Sequence, residues 1–300
     1  MKLLITGASG FIGSALTRQL LAEQHQIIGL SRKAVKLQKR YGDQKQFRAI
    51  SNLTEIDDDE VIDAVVNLAG EPILDKRWTD NRKQLLRNSR LQTTEALIDL
   101  IERLVQKPEV LISGSAIGFY GSQPGDRVVD ELTEGRPGFT HKLCSDWEDK
   151  ALQAVESQVR VCLLRTGVVL GDGGALARML TPFKLGLGGV IGSGQQWFSW
   201  IYLDDMVAAI VFLLEHQVLS GAFNATAPEP VTNAVFTKAL GRALKRPTLL
   251  PMPAMALQLM LGEGAELLCE GQRVMPVRLR EAGFEFSCRN IDQALQHLSG

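Results

Sequence analysis

The amino-acid sequence predicts an α/β fold, a doubly wound parallel sheet with a smaller C-terminal lobe. Short continuous apolar segments, typical of buried parallel strands, alternate along the chain with segments whose apolar residues recur at helical spacing. A glycine-rich turn follows the first of these strands. After Pro247 the composition shifts to Leu, Met and Pro, which indicates a separate small lobe.

Length and charge limit the classes of function. The 300 residues, 45% of them hydrophobic, can bury a large core. With 33 basic and 34 acidic residues the formal net charge is −1, so no overall field attracts nucleic acid or an anionic membrane. The sequence begins without a signal-type segment, and no apolar segment approaches the roughly 20 residues that span a bilayer. We therefore expect a cytoplasmic protein.

The cysteines and histidines indicate neither disulfides nor a metal site. They lie far apart in the sequence and form no pair or cluster with the spacing of metal ligands. These residues are Cys144, Cys162, Cys269 and Cys288, together with His25, His141, His216 and His297.

The first thirteen residues carry the strongest motif. Leu3 to Ile5 form an apolar strand, and a turn with glycines at positions 7, 10 and 13 leads into a helix. The N-terminus of such a helix presents free N–H groups and the positive end of its dipole, which favours a phosphate. The three glycines permit a left-handed turn, a close approach to a pyrophosphate, and tight packing of helix on strand. The predicted contacts of a dinucleotide are Gly7, Ser9, Gly10, Phe11, Ile12 and Gly13.

Thr6 to Gly13 resembles the cofactor loop of the short-chain dehydrogenase/reductase superfamily, in its extended branch that includes nucleotide-sugar epimerases. The resemblance implies a Rossmann-like doubly wound parallel sheet with a smaller C-terminal substrate lobe. The alternative interpretation of the same glycines is a tight strand-to-helix turn without a ligand.

The second predicted strand, Gln26 to Leu30, ends where such a fold meets the adenosine ribose. An NAD site usually places an acidic residue there, whereas this chain has Ser31, Arg32 and Lys33 and no acidic residue between Gln24 and Gly42. A hydroxyl and a guanidinium suit a ribose 2′-phosphate. We therefore predict NADP as the cofactor, with NAD less favoured. The alternative is a solvated basic loop.

A short third strand is expected at 46–50, and the apolar segment Val61 to Leu68 predicts a buried parallel strand. It ends in a turn that resembles the family's Asn-Asn-Ala-Gly turn, which implies that Leu68, Ala69 and Gly70 lie against the adenine and its ribose. A long amphipathic helix is expected from 81 to 104. Within it, Arg90 reaches the cofactor phosphates or, alternatively, forms a surface salt bridge.

The next predicted strand, at 110–112, continues into a segment that resembles the family's Ser-Ser-x-x-x-Tyr-Gly motif. Ser115 matches the serine that hydrogen-bonds the substrate oxygen, with one extra residue before Tyr120. The alternative is a Ser/Gly loop capping a strand. Tyr120 is also the first candidate for a proton donor, with His141 and Lys142 as weaker candidates and an aromatic plug as the structural alternative.

The superfamily's acid is a Tyr followed four residues later by a Lys, on a helix that begins here near Gly138. Phe139 and Leu143 are expected at those two positions. The string Tyr41 to Lys45 does match the motif, but it lies in the predicted basic loop after the second strand and is interpreted as a coincidence.

A further buried strand at 159–164 leads into a turn that resembles the one with which extended members border the nicotinamide. The resemblance implies cofactor contacts for Thr166, Gly167 and Val168. The glycine-rich segment 171–194 is expected to be either a mobile cover over a ligand or an irregular surface loop.

The remaining elements complete the sheet and the lobe. A return strand into the core is expected at 201–205, a helix at 206–215, a last core strand at 221–228, and a helix capped by Thr232. Helical segments near 254–261 and 265–271 and a final short helix follow. The predicted domains are residues 1–170, a cofactor domain with a return of the chain near 200–228, and residues 171–300, the substrate-lobe segments.

Nearly the whole chain resembles the atypical epimerase-like branch designated 39U, through segments such as Asp146-Trp147-Glu148 and Glu270-Gly271-Gln272-Arg273-Val274. This implies an NADP(H)-binding oxidoreductase or epimerase that acts on an unknown small polar metabolite, as a monomer or homodimer. The alternative is a non-catalytic module that binds NADP and signals redox state to a partner.

Overall fold

A seven-stranded parallel sheet forms the centre of the computed structural model, which describes residues 1–42, 44–123 and 125–297. The strand order is β11-β7-β5-β4-β1-β2-β3. The seven strands are β1 (Lys2–Thr6), β2 (Gln26–Leu30), β3 (Phe47–Ile50), β4 (Ala64–Asn67), β5 (Val110–Ala116), β7 (Arg160–Thr166) and β11 (Gly221–Ala225). The short strands outside this sheet are β6 (Val128–Val129), β8 (Val168–Leu170), β9 (Trp197–Phe198), β10 (Trp200–Tyr202), β12 (Val231–Thr232) and β13 (Arg273–Val274).

Helices cover both faces of the sheet. In chain order they are α1 (Phe11–Ala22), α2 (Ala34–Tyr41), α3 (Asp80–Arg103), α4 (Phe139–Leu152), α5 (Gly174–Lys184), α6 (Leu203–Glu215), α7 (Asn233–Leu244), α8 (Ala254–Leu261), α9 (Glu266–Cys269), α10 (Val277–Glu281) and α11 (Ile291–His297). Short 3-10 helices occupy Leu53–Glu55, Ile117–Tyr120, Gln153–Ser157 and Gly262–Ala265.

The alternation of side chains along β1 explains the double winding. Leu3 and Ile5 face one side of the sheet and join the core formed with α1 and α6, whereas Leu4 faces the other side and joins the core formed with α3. All three side chains are fully buried, as expected for a central strand covered on both faces. The predicted α/β class and the parallel sheet are therefore confirmed.

The C-terminal lobe has its own apolar core. Side chains of α5, α7 and α11 meet there around Trp200, which is fully buried. Three short strand pairs join the lobe segments to one another and to the sheet domain: β8 with β10, β9 with β12, and β6 with β13. The chain returns to the sheet at β11, beside β7, as expected.

Two predicted elements differ from those in the structure. The segment expected as a basic loop after β2 is helix α2, because Leu37 and Tyr41, one helical turn apart, are buried against the sheet beneath the basic residues. The return strand expected at 201–205 is only β10, which pairs with β8 outside the main sheet, and α6 already begins at Leu203. Among the described residues, no helix is both long enough and apolar enough to cross a membrane.

Candidate functional site

The turn between β1 and α1 has the geometry of a phosphate site. Gly7 has a φ of +70°, and a Cβ there would lie 2.6 Å from the Leu68 carbonyl oxygen, so only glycine fits. A Cβ on Gly13 would lie 2.2 Å from the Gly7 carbonyl oxygen. Gly10 caps α1 without a side-chain hydrogen bond, and the first turn of the helix contains no acidic residue. The free N–H groups of α1 therefore suit an anion.

The turn after β4 lies directly against this loop. Thr6 Oγ1 donates to Asn67 Oδ1 at 2.6 Å and accepts from the Ala69 N–H at 3.2 Å, while Asn67 Nδ2 donates to Thr94 Oγ1 at 2.9 Å. These buried hydrogen bonds fix the turn that contains Leu68 to Gly70 beside Gly7. The structure thus brings the two predicted cofactor segments together at one edge of the sheet.

Basic side chains surround the end of β2. Arg32 and Lys33 are exposed, and together with Lys36 and Lys39 they line an open cavity of about 1010 Å³. The Lys33 N–H donates to Ser31 Oγ at 3.2 Å, which fixes the hydroxyl at the start of the loop.

Arg40 is a candidate cofactor residue that the sequence analysis missed. Its Nη1 donates to the Ser9 carbonyl oxygen at 3.2 Å, so α2 places a guanidinium on the glycine turn itself. The missing step was the helix, since a loop gives no reason to expect Arg40 at this position.

The side chain of Arg90, on α3, packs against the turn that contains Leu68 to Gly70. Its guanidinium donates to the carbonyl oxygens of Leu86 at 2.9 Å and Glu71 at 3.2 Å, and a Cβ on Gly70 would lie 3.1 Å from Arg90 Cζ. Burial lowers the pKa of Arg90. Both expectations for this residue named an anion as its partner, whereas the partners in the structure are carbonyl groups. Contact with the cofactor phosphates stays a prediction.

The turn after β7 lies at the same edge of the sheet. The Gly167 N–H donates to the Ala225 carbonyl at 3.0 Å, and the Val168 N–H donates to the Ser199 carbonyl at 2.9 Å. Thr166 Oγ1 donates to the Leu164 carbonyl at 3.2 Å. The turn is thus held between the sheet and the lobe, at the place expected to border the nicotinamide.

The glycine-rich segment packs on the phosphate turn. A Cβ on Gly171, Gly173 or Gly174 would lie 2.8 to 2.9 Å from the ring of Phe11, the first residue of α1. The segment is partly helical, since α5 begins at Gly174. It therefore covers the start of α1, and its mobility stays a prediction.

Ser115 is engaged in a buried ion-pair network. Its Oγ donates to Glu148 Oε1 at 2.6 Å, and Glu148 in turn accepts two hydrogen bonds from the Arg165 guanidinium, at 2.9 and 2.8 Å. Ser115 is 5% exposed and Glu148 4% exposed. Because the hydroxyl proton of Ser115 points to Glu148, this serine is oriented as an acceptor rather than a donor toward any ligand.

Tyr120 does not have the geometry of a proton donor to a ligand. It is fully buried, its hydroxyl donates to Asn224 Oδ1 at 2.6 Å, and it accepts from Arg165 Nη1 at 3.1 Å. Burial raises the pKa of Tyr120 to about 12, although the nearby Arg165 acts in the opposite direction. This geometry favours the structural alternative, a plug that closes the polar network.

Helix α4 faces the end of β5 with a different row of residues from the one expected. Gly118 packs on Thr140 and Cys144, because a Cβ on Gly118 would lie 3.2 and 3.6 Å from their side chains. Ser115 forms its hydrogen bond with Glu148 of the same helix. Thr140, Cys144 and Glu148 follow each other at intervals of four and are all buried, so they form one face of the helix.

Phe139 and Leu143 lie beside this row and not on it. The Phe139 ring packs edge-on against Trp78 at 5.0 Å, and Leu143 is buried. These contacts bring Thr140 and Cys144, rather than Phe139 and Leu143, to the loop after β5. Which of the two pairs stands in place of the Tyr and Lys stays a prediction.

The remaining proton-donor candidates have partners of their own. His141 Nδ1 lies 2.5 Å from the Phe119 carbonyl oxygen, and exposed Lys142 pairs with Asp146 at 3.2 Å.

Burial raises the pKa of the Cys144 thiol to about 12, and the nearby Glu148 raises it further, so this thiol stays protonated at neutral pH.

Residues 3–225 match the model of the NAD dependent epimerase/dehydratase family, and residues 252–298 match a domain of unknown function. The chloroplastic SDR39U1 homologue of Arabidopsis thaliana is 42% identical over 303 residues, covering 99% of this chain and 86% of the relative. YfhF, an epimerase family protein of Bacillus subtilis, is 35% identical over 302 residues, covering 99% of this chain and 98% of that protein. These matches confirm the predicted resemblance to the 39U group.

Solved structures agree with these relatives. The human epimerase family protein SDR39U1, crystallised with NADPH, is 35% identical, covers 100% of this chain and 99% of its own, and superposes with a TM-score of 0.90. A UDP-glucuronic acid 4-epimerase from Bacillus cereus, solved with NAD, superposes with a TM-score of 0.78 at 18% identity, covering 99% of this chain and 96% of its own. At that identity the second likeness shows the fold alone.

Proposed function

This chain belongs to the NAD dependent epimerase/dehydratase family, and on that premise we propose that it binds NADP(H) and acts on a small polar metabolite as an oxidoreductase or epimerase. The observation that carries the proposal is the basic end of β2 beside the glycine turn, where Arg40 contacts the Ser9 carbonyl and Arg32 and Lys33 are exposed. A 2′-phosphate bound there would meet charge-assisted donors and no acidic residue of that loop.

The cofactor would be held by three turns at the carboxyl edge of the sheet. Gly7 to Gly13 suit the pyrophosphate, Leu68 to Gly70 the adenosine, and Thr166 to Val168 the nicotinamide end. The likeness to human SDR39U1, which was crystallised with NADPH, supports this choice of cofactor. When bound, NADP(H) supplies a hydride acceptor or donor.

We further propose that Thr140 and Cys144 occupy the positions of the family's Tyr and Lys. A protonated thiol cannot lower the pKa of a neighbouring hydroxyl as an ammonium group does. Any proton transfer in this site therefore takes place without the superfamily's Tyr/Lys acid. We expect the reaction to need little help from a protein acid of that kind. Ser115, oriented as an acceptor, suits a ligand group that donates, such as a hydroxyl or an amide N–H.

A second candidate function is a non-catalytic module that reports NADP redox state to a partner. The observation that favours it is the buried polar network around Arg165, in which both predicted catalytic side chains, Ser115 and Tyr120, have buried protein partners.

The cytoplasm stays the predicted location, although the plant relative is named as chloroplastic.

Isotope transfer separates the two functions. The purified protein is incubated with NADPH carrying deuterium at C4 of the nicotinamide and with a small-molecule extract of cells, and products are analysed by mass spectrometry. For an oxidoreductase we expect deuterium in a metabolite. An epimerase begins from NADP⁺ and returns the hydride to its substrate, so we expect transient NADPH absorbance when the extract is added to the NADP⁺-loaded protein. If both dinucleotides bind but neither signal appears, the enzyme proposal is wrong and the module is favoured.

A further inference from the structure

Three segments of the chain meet beyond the turn that follows β7. Gln272 Nε2 donates to the Gly121 carbonyl at 2.6 Å, and Ser199 Oγ donates to the Gln272 carbonyl at 2.7 Å. The Val274 N–H donates to Ser199 Oγ at 3.0 Å. The loop after β5, the β9–β10 segment and β13 therefore form one polar cluster on the side of the lobe.

This cluster contains buried polar atoms that have no hydrogen-bond partner in the protein. They are Gln123 Oε1, Gln196 Oε1 and Arg273 Nε, three of the five such side-chain atoms in the described part of the chain. Gln123 is only 6% exposed. An unpaired buried polar group is destabilising, so three of them in adjoining segments indicate a place where another molecule supplies the partners.

The guanidinium of Arg273 packs on an aromatic ring. Its Cζ lies 4.8 Å from the centre of the Trp197 ring, and the indole is oriented by a hydrogen bond from Nε1 to Asp126 Oδ1 at 3.3 Å. Within the described ranges no carboxylate forms an ion pair with Arg273, in contrast to buried Arg165, which is paired with Glu148. A guanidinium that packs on an indole still carries N–H donors that can form two parallel hydrogen bonds with one anion.

The cluster adjoins the predicted nicotinamide end of the cofactor site. The Val168 N–H donates to the Ser199 carbonyl at 2.9 Å, and a Cβ on Gly167 would lie 2.7 Å from the same oxygen. A molecule held by Arg273 would thus lie near the turn that is predicted to border the nicotinamide. At this position we expect a substrate and not the adenosine of the cofactor.

We propose that Arg273 binds the oxyanion of the substrate, the carboxylate or phosphate of a hydroxylated metabolite, and that Gln123 and Gln196 bind hydroxyl groups of the same molecule. Arg273 pairs with the oxyanion through two N–H donors, and the two glutamine carbonyls accept hydrogen bonds from hydroxyl groups. The proposal rests on the proposed function, because it takes the molecule bound beside the nicotinamide to be the substrate.

The test is calorimetry on the NADP⁺-loaded protein with three probes: gluconate, glycerol 3-phosphate and the neutral polyol sorbitol. We expect one of the two anions to bind with a dissociation constant in the millimolar range or tighter, and sorbitol not to bind. Arg273→Met should weaken that binding at least about tenfold, since a charge-assisted pair is lost. Arg273→Lys, which keeps the charge but not the planar fork, should weaken it less.

The control variant is Arg280→Met, which removes an exposed arginine from α10 and should leave the binding of the anion within about twofold. Unfolding midpoints of all variants identify any that fail to fold, and Arg273→Lys then carries the comparison. Preference for gluconate or for glycerol 3-phosphate assigns the carboxylate or the phosphate. The proposal is overturned if neither anion binds the wild-type protein, or if Arg273→Met and Arg273→Lys both bind as tightly as wild type.

Cofactor binding is measured in the same samples by NADPH fluorescence. Failure of NADPH to bind contradicts the proposed function, whereas NADPH binding with no anion binding contradicts only the role of Arg273.

Discussion

Arg32 and Arg40 are the side chains on which the preference for NADP(H) depends. Replacing Arg32 with Asp should remove a guanidinium and repel the 2′-phosphate, reducing the preference for NADP over NAD by about 2 kcal/mol, or about 30-fold. Arg40→Ala should lower NADP affinity by a smaller factor. The measurement is calorimetric titration of each variant with both dinucleotides.

Lys238→Asp, an equal charge change at an exposed position on α7, is the control for a general field effect. The assignment of the 2′-phosphate site is wrong if Arg32→Asp keeps the wild-type preference for NADP over NAD. It is also wrong if Lys238→Asp reduces that preference as much as Arg32→Asp does.

Tyr120 should make stability depend on pH in the alkaline range. Its folded pKa is raised to about 12, above the ordinary value of 10, so the folded protein favours the protonated phenol. The stabilisation from this group is complete below about pH 10 and is lost as the pH rises toward 12. The difference in unfolding free energy between wild type and Tyr120→Phe should therefore shrink over that interval. A difference independent of pH from 8 to 12 would show that the hydroxyl titrates normally.

Helix α4 is held to the sheet by the buried pair of Glu148 and Arg165. Glu148→Gln leaves the Arg165 guanidinium buried without its anion and should lower the free energy of unfolding by about 3–5 kcal/mol. The exposed pair of Arg242 and Asp292 is the comparison, and Asp292→Asn should cost less than about 1 kcal/mol. Urea unfolding measures both. Equal losses of unfolding free energy in the two variants would mean that burial does not change the cost of breaking an ion pair in this protein.

The same helix shows how far the sequence alone predicts the site. Strand-turn-helix spacing places Gly7 to Gly13 without reference to tertiary contacts, because the motif is local. The face of α4 that meets the loop after β5 depends on the rotation of the helix, which the sequence alone does not give. The resemblance pointed to Phe139, whereas in the structure Thr140 is the residue that packs on Gly118.

Helix α2 was missed for a related reason. Its sequence is dominated by lysine and arginine, and only Leu37 and Tyr41 are buried. Two apolar residues one turn apart are too few to predict a helix, so the position of Arg40 beside Ser9 had to come from the structure.

The lobe is attached to the rest of the molecule through buried polar contacts. Asp205, at 2% exposure, accepts hydrogen bonds from the N–H groups of Ser287 at 2.7 Å and Cys288 at 3.0 Å. Asp205→Ala should leave both donors without partners and lower the free energy of unfolding by about 2–4 kcal/mol. Hydrogen exchange should then accelerate most in the segment from Phe284 to α11, because local opening becomes easier there.

Asp204→Ala is the matched control, since this neighbouring carboxylate is exposed. Equal protection of the segment from Phe284 onward in wild type and Asp205→Ala would show that the lobe is held by its apolar core alone.

At the scale of the whole molecule, three turns from different parts of the sheet converge on one edge, and the basic residues at the end of β2 define what that edge binds. The most direct measurement is calorimetric titration of the wild-type protein with NADPH and with NADH under identical conditions. We predict binding of one molecule per chain with a preference for NADPH of at least about 2 kcal/mol, or about 30-fold. Equal affinities for the two, or tighter binding of NADH, would contradict the central claim that this site is built for a 2′-phosphorylated dinucleotide.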